Sequence, residues 1–92
     1  MSDPALSQAV TPRWEYGGRY YVVWRVTDSG EQDTLGWELE DVGPSPGRGI
    51  VLEAFGQDAS GEFVFTAFTD QPLPFALVHR FVVEAAREIP AQ

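Results

Sequence analysis

The chain contains no cysteine, lysine or asparagine, and it has only six basic residues but fourteen carboxylates. The absence of cysteine excludes disulfides and thiol chemistry. A net charge of −8 disfavours nucleic acid and anionic membrane surfaces, because both attract clustered cations. No stretch approaches the roughly 20 apolar residues of a membrane span, and residues 1–11 lack the basic and apolar segments of a signal peptide. We therefore expect a cytoplasmic protein.

The composition favours one folded domain. The chain has 92 residues, of which 43% are hydrophobic and 13% aromatic, enough for a thin core. Residues 1–12 are predicted to be a flexible lead-in, in which Pro4–Val10 could form a short helical turn with Asp3 as its N-cap. Residues 13–92 are predicted to form a single α+β domain.

The hydrophobic pattern predicts an antiparallel sheet. Period-two alternation and turn residues define four strands, and a short segment before the first of them is a candidate fifth. Because every connection is short, consecutive strands should be neighbours in a β-meander. The four strands are Arg19–Thr27, Thr34–Val42, Ile50–Gly56 and Glu62–Thr69, and the candidate fifth is Arg13–Tyr16.

A C-terminal helix is predicted over Phe75–Ile89, with its apolar stripe packed on one face of the sheet. On the strand Arg19–Thr27 the alternate residues from Tyr20 to Val26 are all apolar, which assigns them to the core. Arg19 and Arg25 should then share the outer face with Glu38 and Glu40. The predicted stripe is Phe75, Val78, Phe81, Val82, Ala85, Ala86 and Ile89, and its predicted partners are Tyr20, Trp24, Trp37, Leu52 and Phe65.

No residue set predicts catalysis, a metal or a cofactor. His79 is the only histidine, and no serine and carboxylate accompany it at a spacing that suggests a triad. The carboxylates of Asp28–Asp41 lack the register of a calcium loop. Gly43–Gly49 has neither the lysine nor the following helix of a phosphate-binding loop. Glu38, Glu40 and Glu53 should share a flat outer face that offers no cleft for acid–base chemistry. We expect a protein that is not an enzyme.

Several apolar residues fall on strand positions opposite the predicted core. If the helix covers one face only, they form an exposed patch of the kind that binds partners. Alternatively, the N-terminal segment covers them through Val10, Trp14 and Tyr16, or a homodimer forms across the open sheet face. The patch consists of Tyr21, Val23, Phe55, Val64 and Phe68.

These features favour a small acidic protein-binding module, such as an inhibitor or immunity-type protein for a basic partner. The segment Asp28–Asp41 has six carboxylates and no basic residue, and aromatic residues surround it. One alternative is a small-molecule-binding domain with a pocket lined by Tyr20, Trp24, Phe65, Phe81 and His79. Another is a homodimeric structural or accessory protein. The predicted partner contacts are Tyr21, Asp33, Trp37, Glu38, Glu40, Asp41, Phe55 and Phe68.

Overall fold

A computed structural model describes residues 5–29, 33–57 and 62–88. Five antiparallel strands form one open sheet in the order β1-β2-β3-β4-β5, which follows the sequence, and one helix ends the fold. The predicted α+β meander is therefore confirmed, with the fifth strand present. The elements are β1 (Ala5–Tyr16), β2 (Arg19–Ser29), β3 (Asp33–Gly43), β4 (Gly49–Gln57), β5 (Glu62–Ala67) and α1 (Phe75–Glu88).

The N-terminal strand is longer than the sequence predicts. β1 pairs with β2 from Ala5 to Tyr16, so the helical turn predicted over Pro4–Val10 is wrong for residues 5–10. Gly17 and Gly18 have φ angles of 59° and 76° and form the two-residue turn that joins the strands. Positive φ at both positions suits a hairpin twist that only glycine adopts without strain. The division into a flexible lead-in and a domain stays a prediction, and residues 1–4 lie outside the described residues.

The hydrophobic core lies between α1 and one face of the sheet, called here the helix face. Trp37 on β3 is buried as predicted, next to the buried Leu39, and the ring centre of Phe81 on α1 lies 6.2 Å from that of Trp37. The N-terminal strand contributes Trp14 to the same cluster. The core residues are Trp14, Tyr21, Val23, Trp37, Leu39, Val51, Leu52, Ala54, Leu77, Phe81 and Ala85.

The predicted core face of β2 is wrong. Tyr21 and Val23 are 1% exposed on the helix face, whereas Tyr20 on the other face is 38% exposed. Residues directly opposite each other in an antiparallel pair share a face. Val23 is opposite Leu39, so the buried face of β3 fixes the buried face of β2. Because both faces of β2 are rich in apolar residues, the alternation pattern alone predicted the wrong face to be buried.

Both arginines of β2 also lie on the helix face and do not share a face with Glu38 and Glu40. Arg19 forms an ion pair with Asp41 at 2.7 Å. Arg25 reaches the end of α1, where its Nη2 lies 3.2 Å from Glu88 Oε1. Each arginine has a carboxylate on the helix face, which explains how a charged residue occupies the rim of a hydrophobic core.

The apolar stripe of α1 is rotated from its predicted position. Phe81 and Ala85 are buried as expected, but Leu77, which the predicted stripe omits, is also fully buried. Phe75 is 81% exposed and Val82 is 45% exposed, so their predicted packing on the sheet is wrong. Ile89 lies outside the described residues. More of the α1 surface is apolar than the sheet covers.

Polar contacts tie α1, which packs on Trp37 of the central strand β3, to β1 and β2. The guanidinium of Arg80 lies 4.1 Å from the centre of the Trp14 ring, and its Nη1 donates to Tyr16 Oη at 3.3 Å. The Arg25–Glu88 pair adds a contact to β2. Cation–π and ion-pair contacts of this kind are weak individually, but all of them lie toward one side. On the opposite side of α1, β5 is partly uncovered, because Phe63 and Phe65 remain exposed.

We expect Gly36→Ala to destabilise the sheet. Gly36 lies between Val26 and Phe55 in the strand registers, and a Cβ at this position would overlap the Phe55 ring. Overpacking of this kind costs about 1–3 kcal/mol. Urea unfolding of Gly36→Ala measures the loss. In a Phe55→Ala background the same substitution should cost much less, because the ring is gone. An equal penalty in both backgrounds would contradict this explanation.

Candidate functional site

The second face of the sheet, called here the open face, is the candidate site. Within residues 5–29, 33–57 and 62–88, no helix or further strand packs against it. The registers bring carboxylates and apolar residues of β2, β3, β4 and β5 together on this face. Half-buried and exposed side chains therefore form a mixed acidic and apolar surface. Its residues are Tyr20, Val22, Trp24, Glu38, Glu40, Ile50, Glu53, Phe55 and Val64.

The carboxylates of the open face repel one another. Glu38 lies directly opposite Glu53, and Glu40 is the next residue of β3 on this face. Burial raises the pKa of Glu38 above its usual value, and the charge of Glu53 raises it further. The prediction that Glu38, Glu40 and Glu53 share one face agrees with this register. A cation placed here would relieve the repulsion.

Trp24 lies among these carboxylates. Its indole Nε1 donates to Glu40 Oε1 at 2.8 Å. Trp24, Glu38, Glu40 and Ile50 border a shallow depression of about 270 Å³. A tryptophan beside acidic residues combines a large apolar surface with charge, a pairing common at protein interfaces.

The structure separates the predicted partner contacts into three groups. Glu38, Glu40 and Phe55 lie on the open face, and Phe68, directly after β5, is 55% exposed. Asp33 pairs with Ser29 in the backbone register, and its side chain lies outside the described residues. The remaining three, Tyr21, Trp37 and Asp41, have side chains that are at most 2% exposed. They belong to the core, so the exposed position predicted for Tyr21 is wrong, and none of the three offers a surface to a partner.

Two open-face residues, Tyr20 and Trp24, were assigned to the core by the sequence and were therefore left out of the predicted contacts. Tyr20 and Trp24 alternate with valines along β2, and this pattern is typical of a buried face. The acidic residues opposite Trp24 in β3 are the signal that could have corrected the assignment. Trp24 is opposite Glu38, and carboxylates seldom line a buried face.

The buried carboxylate of Asp41 holds one end of the sheet together. Arg19 donates from Nε to Oδ2 at 2.7 Å and from Nη2 to Oδ1 at 3.0 Å, which is a two-pronged contact. The Gly43 amide also donates to Oδ1, at 3.1 Å. The Asp41 side chain is completely buried, so these donors replace the water that it loses.

Arg19 also fixes the loop between β3 and β4. Its Nη2 donates to the carbonyls of Pro44 at 3.0 Å and Pro46 at 3.1 Å. The Arg48 amide closes the loop by donating to the Asp41 carbonyl at 3.0 Å. A segment that the sequence predicts only as a proline-rich and glycine-rich loop is therefore tied to β2 by one side chain.

The environment of Asp41 acts on its pKa in opposing directions. Burial alone would raise the pKa, and this is the largest single effect. The hydrogen bonds and charge of Arg19, the Gly43 amide and the charge of Arg48 together outweigh burial, so the pKa of Asp41 lies below its usual value. Asp41 is consequently a charged structural residue, and its buried position makes it unsuited to direct contact with a partner.

An apolar groove lies on the helix face, between α1 and β5. It has a volume of about 320 Å³ and is bordered by Ala54, Phe63, Phe65, Val82, Ala85 and Ala86. We call it the α1–β5 groove. No polar side chain borders it, whereas small-molecule sites usually include a few polar groups that orient the ligand.

The small-molecule pocket predicted from the sequence has a different lining. Of its five predicted residues, only Phe65 borders the α1–β5 groove. Tyr20 and Trp24 lie on the open face and Phe81 is buried. His79 is exposed, and its ring stacks at 6.0 Å from that of Phe75. The predicted lining is therefore wrong.

The described residues contain no group of three or more histidine, aspartate and glutamate side chains placed to bind a metal ion. Within the same residues, α1 is too short and too polar to cross a membrane.

Comparisons of the chain with family models, with curated proteins and with solved structures found no match. The proposals below therefore rest on the geometry and chemistry of this chain alone.

We expect Asp41→Asn to lower the melting temperature by more than about 8 °C at pH 7, because it removes the charge that Arg19 requires in a buried site. A carboxylate with a lowered pKa stabilises the fold above its unfolded-state pKa, and this contribution is lost as the pH falls through the folded-state value. For Asp41 that value is below 3.8. The gap between wild type and variant should therefore close only in strong acid, measured by thermal unfolding from pH 2 to pH 7.

Glu84→Gln is the control for Asp41→Asn. Glu84 forms a half-exposed pair with Arg80 on the same helix, so its loss should lower the melting temperature by less than about 2 °C. Equal effects of the two substitutions would show that burial of Asp41 is unimportant.

Glu38→Gln should have the opposite effect and raise the melting temperature at pH 7, by about 2 °C after allowance for solvent screening. A carboxyl with a raised pKa contributes most to the stability of the fold below its unfolded-state pKa. This contribution is lost as the pH rises through the folded-state pKa. The gain should therefore grow as the pH rises from below 4.5, the ordinary value for glutamate, to 7. A gain that stays constant from pH 3 to pH 7 would rule out charge repulsion as its cause.

Proposed function

We propose that this chain is a small acidic protein-binding module that binds a basic protein through the open face. The single observation that supports it most is the cluster of Glu38, Glu40 and Glu53 beside Trp24 on a sheet face that no described element covers. An inhibitor or immunity-type protein that neutralises a basic partner is the kind of molecule that such a surface suits.

Electrostatics support a cationic partner. The chain has a net charge of −8, so it attracts basic proteins and speeds their encounter with it. Burial is the main cause of the raised pKa of Glu38, and the neighbouring negative charge of Glu53 raises it further. Arginine or lysine side chains of a partner would pair with these carboxylates and remove an unfavourable interaction that the free protein contains.

The apolar residues of the open face supply the rest of the binding energy. Trp24, Ile50 and Phe55 are half-buried, and Tyr20 is 38% exposed. Interfaces derive most of their affinity from a few tryptophan, tyrosine and arginine residues, with charged residues at the rim. The guanidinium of Arg13 lies 4.9 Å from the centre of the Tyr20 ring, which already illustrates the ability of this face to hold an arginine.

The shape of the open face suits binding better than catalysis. Its depression beside Trp24 is shallow and remains open to solvent, so no carboxyl is enclosed as acid–base catalysis requires. A broad surface of this kind is typical of contacts with a protein.

Two variants of equal net charge test the proposal. Glu38→Gln/Glu40→Gln/Glu53→Gln removes the charge of the open face, and Asp70→Asn/Glu84→Gln/Glu88→Gln removes three carboxylates elsewhere. Removing three negative charges from −8 gives −5 for both. The probe is a 15N-labelled sample titrated with an arginine-rich and leucine-rich peptide at 20 mM and 200 mM salt. We expect amide shifts on the open face, with affinity reduced about 10-fold or more in the first variant only.

Equal losses of affinity in the two variants would mean that net charge alone attracts the peptide. Amide shifts confined to the helix face would also contradict the proposal. A Trp24→Ala variant adds a charge-independent check, because it should weaken binding at 200 mM salt as well, when ion pairs are screened.

A further inference from the structure

The two edges of the sheet differ in how they are protected. β1 is interrupted by a register shift between Val10 and Trp14, and Pro12 lies within that interval. Irregularities and prolines are devices by which natural sheets prevent edge-to-edge pairing. β5 contains no proline and pairs with β4 without any shift in register. Of the two edges, β5 is the regular and apolar one.

The backbone of β5 is oriented for pairing with another strand. The Phe68 amide donates to the Val51 carbonyl at 2.9 Å, and this contact continues the β4–β5 register. Hydrogen-bonding direction alternates along an antiparallel strand. The amides and carbonyls of Phe63, Phe65 and Ala67 therefore point away from β4, toward the free edge.

Although β5 begins with Glu62, this edge is apolar on the helix face. Phe63 and Phe65 are 42% and 48% exposed, and with Val82 they border the α1–β5 groove, which has no charged residue in its lining. For a chain of net charge −8, a second copy can approach without strong repulsion only at such a neutral surface. The open face is unsuited to this role, because self-association there would bring the Glu38 and Glu53 carboxylates of two copies together.

We infer that two copies of this chain form a symmetric dimer by antiparallel pairing of β5 with β5, with the α1–β5 grooves packed together across the twofold axis. A twofold axis at Val64 sets Phe63 opposite Phe65 of the second copy, and aromatic pairs in this position stabilise antiparallel sheets. Both residues have outward-pointing backbone groups, so the pairing also satisfies their amides and carbonyls. The product is one continuous sheet of ten strands.

The buried area is sufficient for a reversible dimer. A phenylalanine side chain can bury roughly 200 Å², so Phe63 and Phe65 each retain roughly 100 Å² to bury. With Val64 at the twofold axis, Val82, Ala86 and the strand edge, two copies bury roughly 1,000 Å², close to the lower limit for specific interfaces. We therefore expect dissociation in the micromolar range.

Sedimentation equilibrium and light scattering of the full chain, from 5 to 500 μM, test the inference. The wild type should shift from the mass of one chain toward twice that mass as its concentration rises. Phe65→Glu should raise the dissociation constant by about 100-fold, because it sets two carboxylates into an apolar contact. Phe75→Glu is the matched control: it makes the same change at an exposed phenylalanine outside the groove and should leave the dimer unchanged.

Ala67→Pro tests the strand pairing separately. It removes an outward-pointing amide and leaves the bonds to β4 in place, so it should weaken the dimer while far-ultraviolet circular dichroism stays unchanged. A chain that is monomeric at 500 μM would overturn the inference and leave the groove to another occupant. Equal effects of Phe65→Glu and Phe75→Glu, or no effect of Ala67→Pro, would also overturn it. None of these outcomes bears on binding of a basic partner by the open face.

Discussion

The one-sided anchoring of α1 determines which surfaces of this protein are available. Arg80 contacts Trp14 and Tyr16 on β1, and Glu88 contacts Arg25 on β2, so these polar contacts tie the helix to one half of the sheet. The buried residues of α1 complete the core above the central strands. The β5 edge, on the other side of the helix, keeps exposed phenylalanines and the apolar groove. The single helix leaves the other side of the sheet uncovered by any described element, and the acidic surface lies there.

The two exposed surfaces have different chemistry, and this difference suits them to different proposed partners. The open face combines Glu38, Glu40 and Glu53 with Trp24, which suits a cationic protein. The groove and the helix face of the β5 edge are neutral and apolar, which suits a second copy of an acidic chain. Used together, the two surfaces would give a dimer with two acidic faces on one side of a single sheet. Such an arrangement would bind a repetitive or dimeric basic partner more tightly than one face could.

The sequence predicts the order of the elements well, and it predicts side-chain direction poorly. Turn residues and period-two patterns give β2 to β5 and the helix within one or two residues, because these signals are local. Which face of β2 is buried depends on its register with β3, and this register is a long-range property. Because both faces of β2 are apolar, its own sequence does not indicate the buried one. For this reason Tyr21 was predicted on the surface but lies in the core, and Trp24 was predicted in the core but lies on the open face. Asp41 appears in the sequence as one more carboxylate of an acidic run, and only the distant Arg19 makes it a buried structural residue.

The order of the strands has a consequence for biosynthesis. Each strand pairs with the one made just before it, so the sheet can assemble progressively as the chain leaves the ribosome. The helix α1, which covers the aromatic core, follows all five strands in the sequence. Until α1 has left the ribosome, Trp14 and Trp37 lie on an uncovered apolar layer, and nascent chains are open to chaperones and to misassembly at this stage. A chain cut before Phe75 would keep this layer exposed permanently, with aggregation as the outcome.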